Sequence, residues 1–390
     1  MQTGESADIL IVGGGPVGAT LALALSHRDI PVTVLEARSH GASHQDQRAL
    51  ALSYGSRTIL ERLGLWQALA PQATAIQSIH VSQRGSVGRS KLQASDDGRE
   101  ALGYVLSYGA LSRALDAALA ASSGIRMLYE ARVANIETSE QRASVVYSRA
   151  DGLVLKANAA LAVLADGGNS LAHIAGLQRK TRDYSQGALV ARVKSELTHA
   201  NIAYERFTPS GPVALLPNGE EFSLVWTGRH EEISALMQTE DAVFLEELHR
   251  HFGDRVGKFI KVGPRSSFPL KLAYLDPVPM PHLAVIGNAA QTMHPVAGQG
   301  FNIGLRDAWE LSAQIARADA SNWGSPAMLQ AYRNRRKSDT RGGLIFTDFL
   351  VNIFSNDVIG LSGVRAAGLG LLDVVKPFKR RLVEKMSFGA

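Results

Sequence analysis

A chain of 390 residues with 45% hydrophobic and 20% charged side chains has enough apolar material to fold around a large core, and its composition excludes intrinsic disorder. It has no cysteine, which excludes disulfides, thiolate zinc sites, iron–sulfur ligation and a cysteine nucleophile, and suits a reducing compartment. Its 41 basic and 36 acidic residues leave a net charge of +5 on a mixed surface, without the basic stripe of a nucleic-acid binder, so nucleic acid is not expected among its partners.

Ile9-Leu10-Ile11-Val12 and Val32-Thr33-Val34-Leu35 are continuous apolar runs of the kind that form buried parallel strands, and Ala19–Leu25 between them is rich in good helix formers. Together they predict a βαβ unit. The same stretch imitates a secretory signal, because Ile9 to Ser26 is uncharged and ends in Ala22-Leu23-Ala24. Glu5 and Asp8 stand where a signal needs positive charge, however, and Gly13, Gly14, Gly15 and Pro16 would break a spanning helix. No other apolar run reaches the roughly 18 to 20 residues that cross a bilayer, so a cytoplasmic protein is expected. Helical spacing recurs through Ile59, Leu63 and Trp66, predicting one helix over 55–69, and again through Leu111, Leu115, Ala118 and Leu119.

From about Gly187 short β-like runs alternate with Pro and Gly: Ala188–Ala191, Tyr204–Phe207, Val213–Leu216 and Phe222–Trp226 predict an inserted, mainly antiparallel sheet. A helix follows over 239–252, with Thr239 as its N-cap and Glu240 and Asp241 in its acidic first turn. Alternation returns at Phe268, Leu270 and Leu272, then a buried strand at Leu283–Ile286, a helix from near Gly300, and helical spacing after Trp323.

Gly13-Gly14-Gly15-Pro16-Val17-Gly18 follows a predicted strand, opens a predicted helix and precedes Glu36 at the end of the next strand. In this context the pattern predicts dinucleotide binding: Gly13 permits the turn, Gly15 the approach of a pyrophosphate, Gly18 close helix packing, and Glu36 a ribose hydrogen bond. Gly298-Gln299-Gly300 opens a helix whose face runs through Phe301, Leu305, Ala308, Ser312 and Ile315. That places unpaired N–H groups and partial positive charge at its start. No Ser-His-Asp arrangement and no His-Glu-x-x-His stands out, and His249 and His251 are badly spaced for a shared ion, so no metal is expected.

Two later segments, Ala165-Asp166-Gly167-Gly168-Asn169-Ser170 and Gly287 to Asn302, resemble those of the FAD-dependent aromatic hydroxylases of the p-hydroxybenzoate hydroxylase type. The order of elements is similar over nearly the whole chain. Gly287-Asn288-Ala289-Ala290-Gln291-Thr292, His294-Pro295, Ala297–Asn302, Glu205-Arg206-Phe207-Thr208 and Gly211-Pro212 resemble the ubiquinone-biosynthesis branch, in particular its 2-polyprenyl-6-methoxyphenol hydroxylases. Where the wider class has Gly-Asp this chain has Gly287-Asn288, and where the class has Arg it has His173; both departures resemble that same branch. Asn288 can still bond a ribityl hydroxyl.

The resemblance implies an α/β fold: a Rossmann-like FAD-binding domain (1–75, 100–185 and 275–322), an inserted, mainly antiparallel β-sheet substrate domain (76–99 and 186–274) and C-terminal helices (323–390). It implies noncovalent FAD, an external NAD(P)H donor, and O2 captured as a flavin 4a-hydroperoxide that hydroxylates a polyprenyl phenol. Gly13, Gly15, Pro16, Val17, Gly18, Glu36, Arg48, Val133, Asp166, Gly167, Gly287, Asn288, Pro295, Gly298, Gln299, Gly300, Phe301 and Asn302 are the expected cofactor residues. Within this set Arg48 falls at the family position near the phosphates or isoalloxazine, and Val133 at the one that meets adenine. The substrate pocket is expected near Phe207, Val213, Leu215, Trp226 and Pro295. His294 and Pro295 are the catalytic candidates, and no base for the phenol is assigned. Other proteins of ubiquinone biosynthesis are implied partners. A reductase or dehydrogenase of the same fold, and a non-catalytic lipid-binding scaffold, stay open. Val375, Phe378, Leu382 and Met386, flanked by Lys376, Lys379, Arg380, Arg381 and Lys385, form a candidate membrane-surface helix interrupted by Pro377.

Overall fold

The unalternating apolar runs near the N-terminus are covered on both faces. In the computed structural model, which describes residues 2–3, 7–84, 89–275, 280–293, 299–354, 381, 383–385 and 387–389, Ala7–Val12 lies at the heart of a sheet. It pairs in parallel with Val32–Leu35 (Ile9 opposite Val32) and with Val154–Leu164 (Ile9 opposite Leu161). Ile125–Leu128 extends the sheet on one side, Ala143–Ser148 and Arg132–Thr138 on the other, and Leu283–Val285 adds a late parallel strand. The Pro16–Ser26 helix begins with proline at its first turn, where a missing N–H costs nothing. Its residues 18–25 are all buried between this sheet and the Gln299–Arg317 helix, which explains why the segment is apolar all round.

A second sheet, of nine strands among the described residues, carries Arg179–Ser195, Ile202–Thr208, Gly211–Asn218, Glu221–Arg229 and Ser266–Leu275, with Ser78–Gln83 and Arg89–Gln93 at one side. One face packs its aliphatic side chains, Leu189, Val193, Val213, Leu215 and Leu224, against two helices, His230–Gln238 and Asp241–Phe252. A small three-stranded sheet (Ala49–Ser53, Thr74–Ile76, Gly103–Ser107) wedges between the two large ones, where Ile76 and Val105 meet Ala203.

Three local expectations are corrected. The helix expected over 55–69 is two: Tyr54–Arg62 ends before Gly64, whose φ of +74° is outside the helical region, and Trp66–Leu69 is a separate short turn. Thr239 caps nothing at an N-terminus; it closes the preceding helix, donating its hydroxyl to the Ala235 carbonyl at 2.8 Å, and Glu240 takes the N-cap position. Phe268 is 43% exposed and borders the cavity, whereas Leu270, two residues on along the same strand, is buried, so the alternating residues do not all pack into a core.

Candidate active site

The glycine turn is built by two chain crossings. Gly13 has φ +102°, and a Cβ there would come within 2.7 Å of the Asp166 backbone; a Cβ on Gly18 would lie 1.9 Å from the Gly13 carbonyl oxygen. Gly15 differs, since its imagined Cβ meets only Arg38 Nη2 and the Tyr108 hydroxyl, each at 3.7 Å, and its bare backbone borders a cavity. Glu36, 6% exposed, accepts the Gly14 N–H at 2.7 Å and both the backbone N–H (2.9 Å) and Nε (2.8 Å) of Arg38. Burial alone would raise its carboxyl, but the Arg38 and Gly14 hydrogen bonds outweigh it, so Glu36 is held below its ordinary value and stays ionised at the cavity edge.

Asp166 ends the Val154–Leu164 strand's exit turn. Its carboxylate accepts the N–H groups of Gly168 (2.9 Å) and Ser170 (2.7 Å), while Gly167 takes φ +75°. Across the cavity, Gly287 (φ +62°) packs beside Val17 and donates its N–H to Asp307 at 3.1 Å. Asp307 is 2% exposed and belongs to a buried group of four charges. Arg336 Nε donates to it at 2.7 Å, Arg336 Nη1 reaches Asp339 at 2.5 Å, and Arg306 Nε reaches Asp339 at 2.7 Å. This network ties the Gly287-Asn288 turn to the Gln299–Arg317 and Pro326–Phe354 helices. Asn302 accepts the Ser53 N–H (2.8 Å) and donates to the Ala51 carbonyl (2.9 Å), fixing the same helix to the wedge sheet. Nothing lies within 4 Å of a Cβ on Gly300, so the first turn of that helix opens toward the cavity.

These elements enclose one cavity of about 1980 Å3. Drug-sized pockets run to roughly 1,000 Å3, so this one has room for a dinucleotide and a second ligand together. Gly13, Gly15, Pro16, Val17, Glu36, Arg48, Val133, Asp166, Gly167, Asn288, Gln299, Gly300, Phe301 and Asn302 all border it. Gly18 and Gly287 stand behind it as packing glycines. Arg48 borders it while paired with Asp46 (Nη2 to Oδ2 2.5 Å) and lying over the Tyr108 ring at 5.2 Å. His294, Pro295 and Gly298 lie outside the described residues.

The residues expected on the substrate side fall on two faces of the sheet. Phe207 borders the cavity, whereas Val213, Leu215 and Trp226 are on the opposite face of the sheet, buried against the two helices. Their strand neighbours Pro212, Ala214, Leu216 and Val225 face the cavity instead. Alternation announced two faces without saying which one a helix would cover. Sequence reasoning gave no role of their own to Arg38, Glu205, Asp307 and Asp339. Arg38 had a signal, two residues after Glu36; the other three become meaningful only through their surroundings.

The donor set fits FAD: two glycines whose bare backbone opens to the cavity, two helix N-termini, and a charged acid at the end of the second strand. The profile of the FAD binding domain family matches residues 6–342. The chain belongs to this family. It is a FAD-dependent aromatic-ring monooxygenase. The flavoprotein is 36% identical over 382 residues to the ubiquinone hydroxylase UbiL of Rhodospirillum rubrum, covering 96% of this chain and 88% of that protein. It is 29% identical to the 3-demethoxyubiquinol 3-hydroxylase of Escherichia coli, over 98% and 99% of the two chains. In fold it is similar to p-nitrophenol 4-monooxygenase PnpA of Pseudomonas putida, with a TM-score of 0.80 and 17% identity across 98% of each chain. Among the described residues, no helix of the flavoprotein is long and apolar enough to cross a membrane.

Proposed function

We propose that the flavoprotein hydroxylates the ring of a polyprenylated phenol in ubiquinone biosynthesis, with 2-polyprenyl-6-methoxyphenol as substrate and NAD(P)H as electron donor. The observation that carries this reading is the single cavity in which the glycine-lined cofactor half is continuous with an apolar sheet face bearing Ala203, Phe207, Ala214, Leu216 and Val225. Bound there in its reduced form, FAD supplies the activation of O2. The chain's own tasks are to bind, orient and exclude water. Gly13, Gly15 and the first turn of the Pro16–Ser26 helix would hold the pyrophosphate, Glu36 a ribose, and the Gln299–Arg317 helix start negative charge on the flavin ring. The apolar sheet face would keep the phenol dry and pressed toward the flavin. The polyprenyl tail is collected at a membrane surface, where Arg381 and Lys385, exposed beside the cavity, meet anionic lipid.

The test is product analysis with FAD-loaded protein, NAD(P)H, O2 and a short-chain 2-prenyl-6-methoxyphenol. A ring-hydroxylated product formed in step with oxygen consumption is expected. NAD(P)H oxidation with an electron acceptor and no oxygenated product would replace this reading with a reductase. Protein that purifies colourless and refuses FAD would replace it with a scaffold.

A further inference from the structure

Glu205 lies on the face of the sheet that borders the cavity. It lies on Ile202–Thr208, opposite Val81 on one neighbouring strand and Ala214 on the other. The residues of matching parity beside it on those strands are Ile79, Gln83, Pro212 and Leu216, none of them charged. Arg206 on its own strand and His80 on the next point to the opposite face, where Arg206 reaches Ser82 and His80 meets the Tyr204 ring. The cations that share the cavity are engaged elsewhere or exposed: Arg192 is paired with Glu221 at 2.8 Å, Arg48 with Asp46 and Arg38 with Glu36, and Arg132, Lys261, Arg381 and Lys385 are exposed. Among the described residues, no hydrogen bond or ion pair reaches the Glu205 carboxylate. A half-buried carboxylate without a donor, on an otherwise uncharged stretch of cavity wall, calls for a partner that arrives from outside.

We propose that this partner is the substrate's phenolic hydroxyl: Glu205 accepts its hydrogen bond and takes its proton as the ring is hydroxylated. The assignment rests on the phenol hydroxylase reading above. In the step the phenol O–H bond breaks, the carboxylate oxygen gains the proton, and the electron pair left on the phenol oxygen delocalises into the ring, enriching the para carbon. Once that carbon has accepted one atom of O2, the other being reduced to water with the electrons of NAD(P)H, it sheds its own hydrogen as a proton to solvent. The proton on Glu205 returns to the phenol oxygen, so the carboxylate is regenerated. Burial alone pushes the Glu205 carboxyl up to about 7, which narrows the gap to a phenol, ordinarily near 10, and makes the group a better base.

Glu205→Gln keeps the shape and removes the base. In FAD-loaded protein it should lower kcat/KM for 2-prenyl-6-methoxyphenol about 100-fold or more and abolish the fall of kcat/KM below pH 7 that is expected of wild type. Glu205→Asp should restore that acidic limb. A second measurement needs no turnover: binding of the phenol and of its O-methyl ether, followed by the change in flavin absorbance. Wild type should prefer the phenol about tenfold or more, and the preference should fall below about threefold in Glu205→Gln. A Gln variant that keeps both the acidic limb and the phenol preference overturns the proposal. If wild type forms no hydroxylated product yet prefers the phenol through Glu205, the hydroxylase reading fails while Glu205 stands as the phenol acceptor.

Discussion

At Gly13 and Gly15, two residues apart, a missing side chain serves different ends. Gly13 is left-handed and touches the Asp166 backbone, so Gly13→Ala should cost several kcal/mol and leave little folded protein. Gly15 has φ −64° and free space toward the protein. Gly15→Val should therefore fold to within about 1 kcal/mol of wild type while losing FAD, because the new side chain enters the pyrophosphate's path. Circular dichroism melts and FAD titration of the two variants check this; an unfolded Gly15→Val, or one that binds FAD as wild type does, would contradict the assigned geometry. Glu205 carries a pH-dependent cost. Its folded value near 7 lies above its ordinary 4.5, so the native state holds the proton more tightly, and stability declines as pH rises from about 4.5 to 7. The stability of Glu205→Gln relative to wild type should grow as pH rises from about 4.5 to 8 in urea unfolding. Equal stability at both pH values would mean that the carboxylate is well solvated.

Between elements, parity decides which side chains work and which pack. Leu215 is fully buried against the helices, and Ala214 beside it faces the cavity. Leu215→Ala should cost about 2 to 5 kcal/mol of stability with little change in KM, whereas Ala214→Phe should raise KM or abolish turnover without loss of flavin. The reverse pattern would place the substrate on the other side of the sheet. The buried charges behave as one joint: Asp339 serves both Arg306 and Arg336, each of which already has one unpaired buried nitrogen. Asp339→Ala leaves two guanidinium groups without that carboxylate and should destabilise by about 3 to 5 kcal/mol, loosening the Gly287-Asn288 turn and weakening FAD. A loss below 1 kcal/mol in urea titration would show that the joint carries no weight.

Over the whole molecule, the site is assembled from segments near residues 13, 36, 166, 205 and 300, and from the chain's end. Val383 packs beneath Leu92, Ala94 and Leu102, and Ser387 accepts a hydrogen bond from Arg99 at 2.9 Å, so these tail residues close one side of the cavity. The apolar stripe expected at Val375, Phe378, Leu382 and Met386, together with Lys376, Pro377, Lys379 and Arg380, lies outside the described residues. Arg381 and Lys385 are exposed, as a surface-binding helix requires. Wild type should co-sediment with vesicles containing anionic lipid, more weakly at high salt, and replacing Lys379, Arg380 and Arg381 with Gln should abolish this without loss of flavin. Co-sedimentation unchanged in that variant would leave the tail a purely structural closure.

The parallel strands, the glycine turn with its acid, and the helix behind Gly300 were legible in the sequence because each is a local requirement. An unalternating apolar run must be covered twice, and a glycine must stand where backbone meets backbone or ligand. The face of the sheet that holds Phe207 and Glu205 was not legible. Val213 and Ala214 alternate identically in any half-buried strand, and only the docking of the His230–Gln238 and Asp241–Phe252 helices decides which of them is core. Glu205, Asp307 and Asp339 are three acids whose charge state the sequence alone does not distinguish. Tertiary structure leaves the first without a donor beside an apolar cavity and locks the other two among arginines, because the ionisation of a carboxyl is set by the dielectric and the donors around it, and residues far away in the chain supply both.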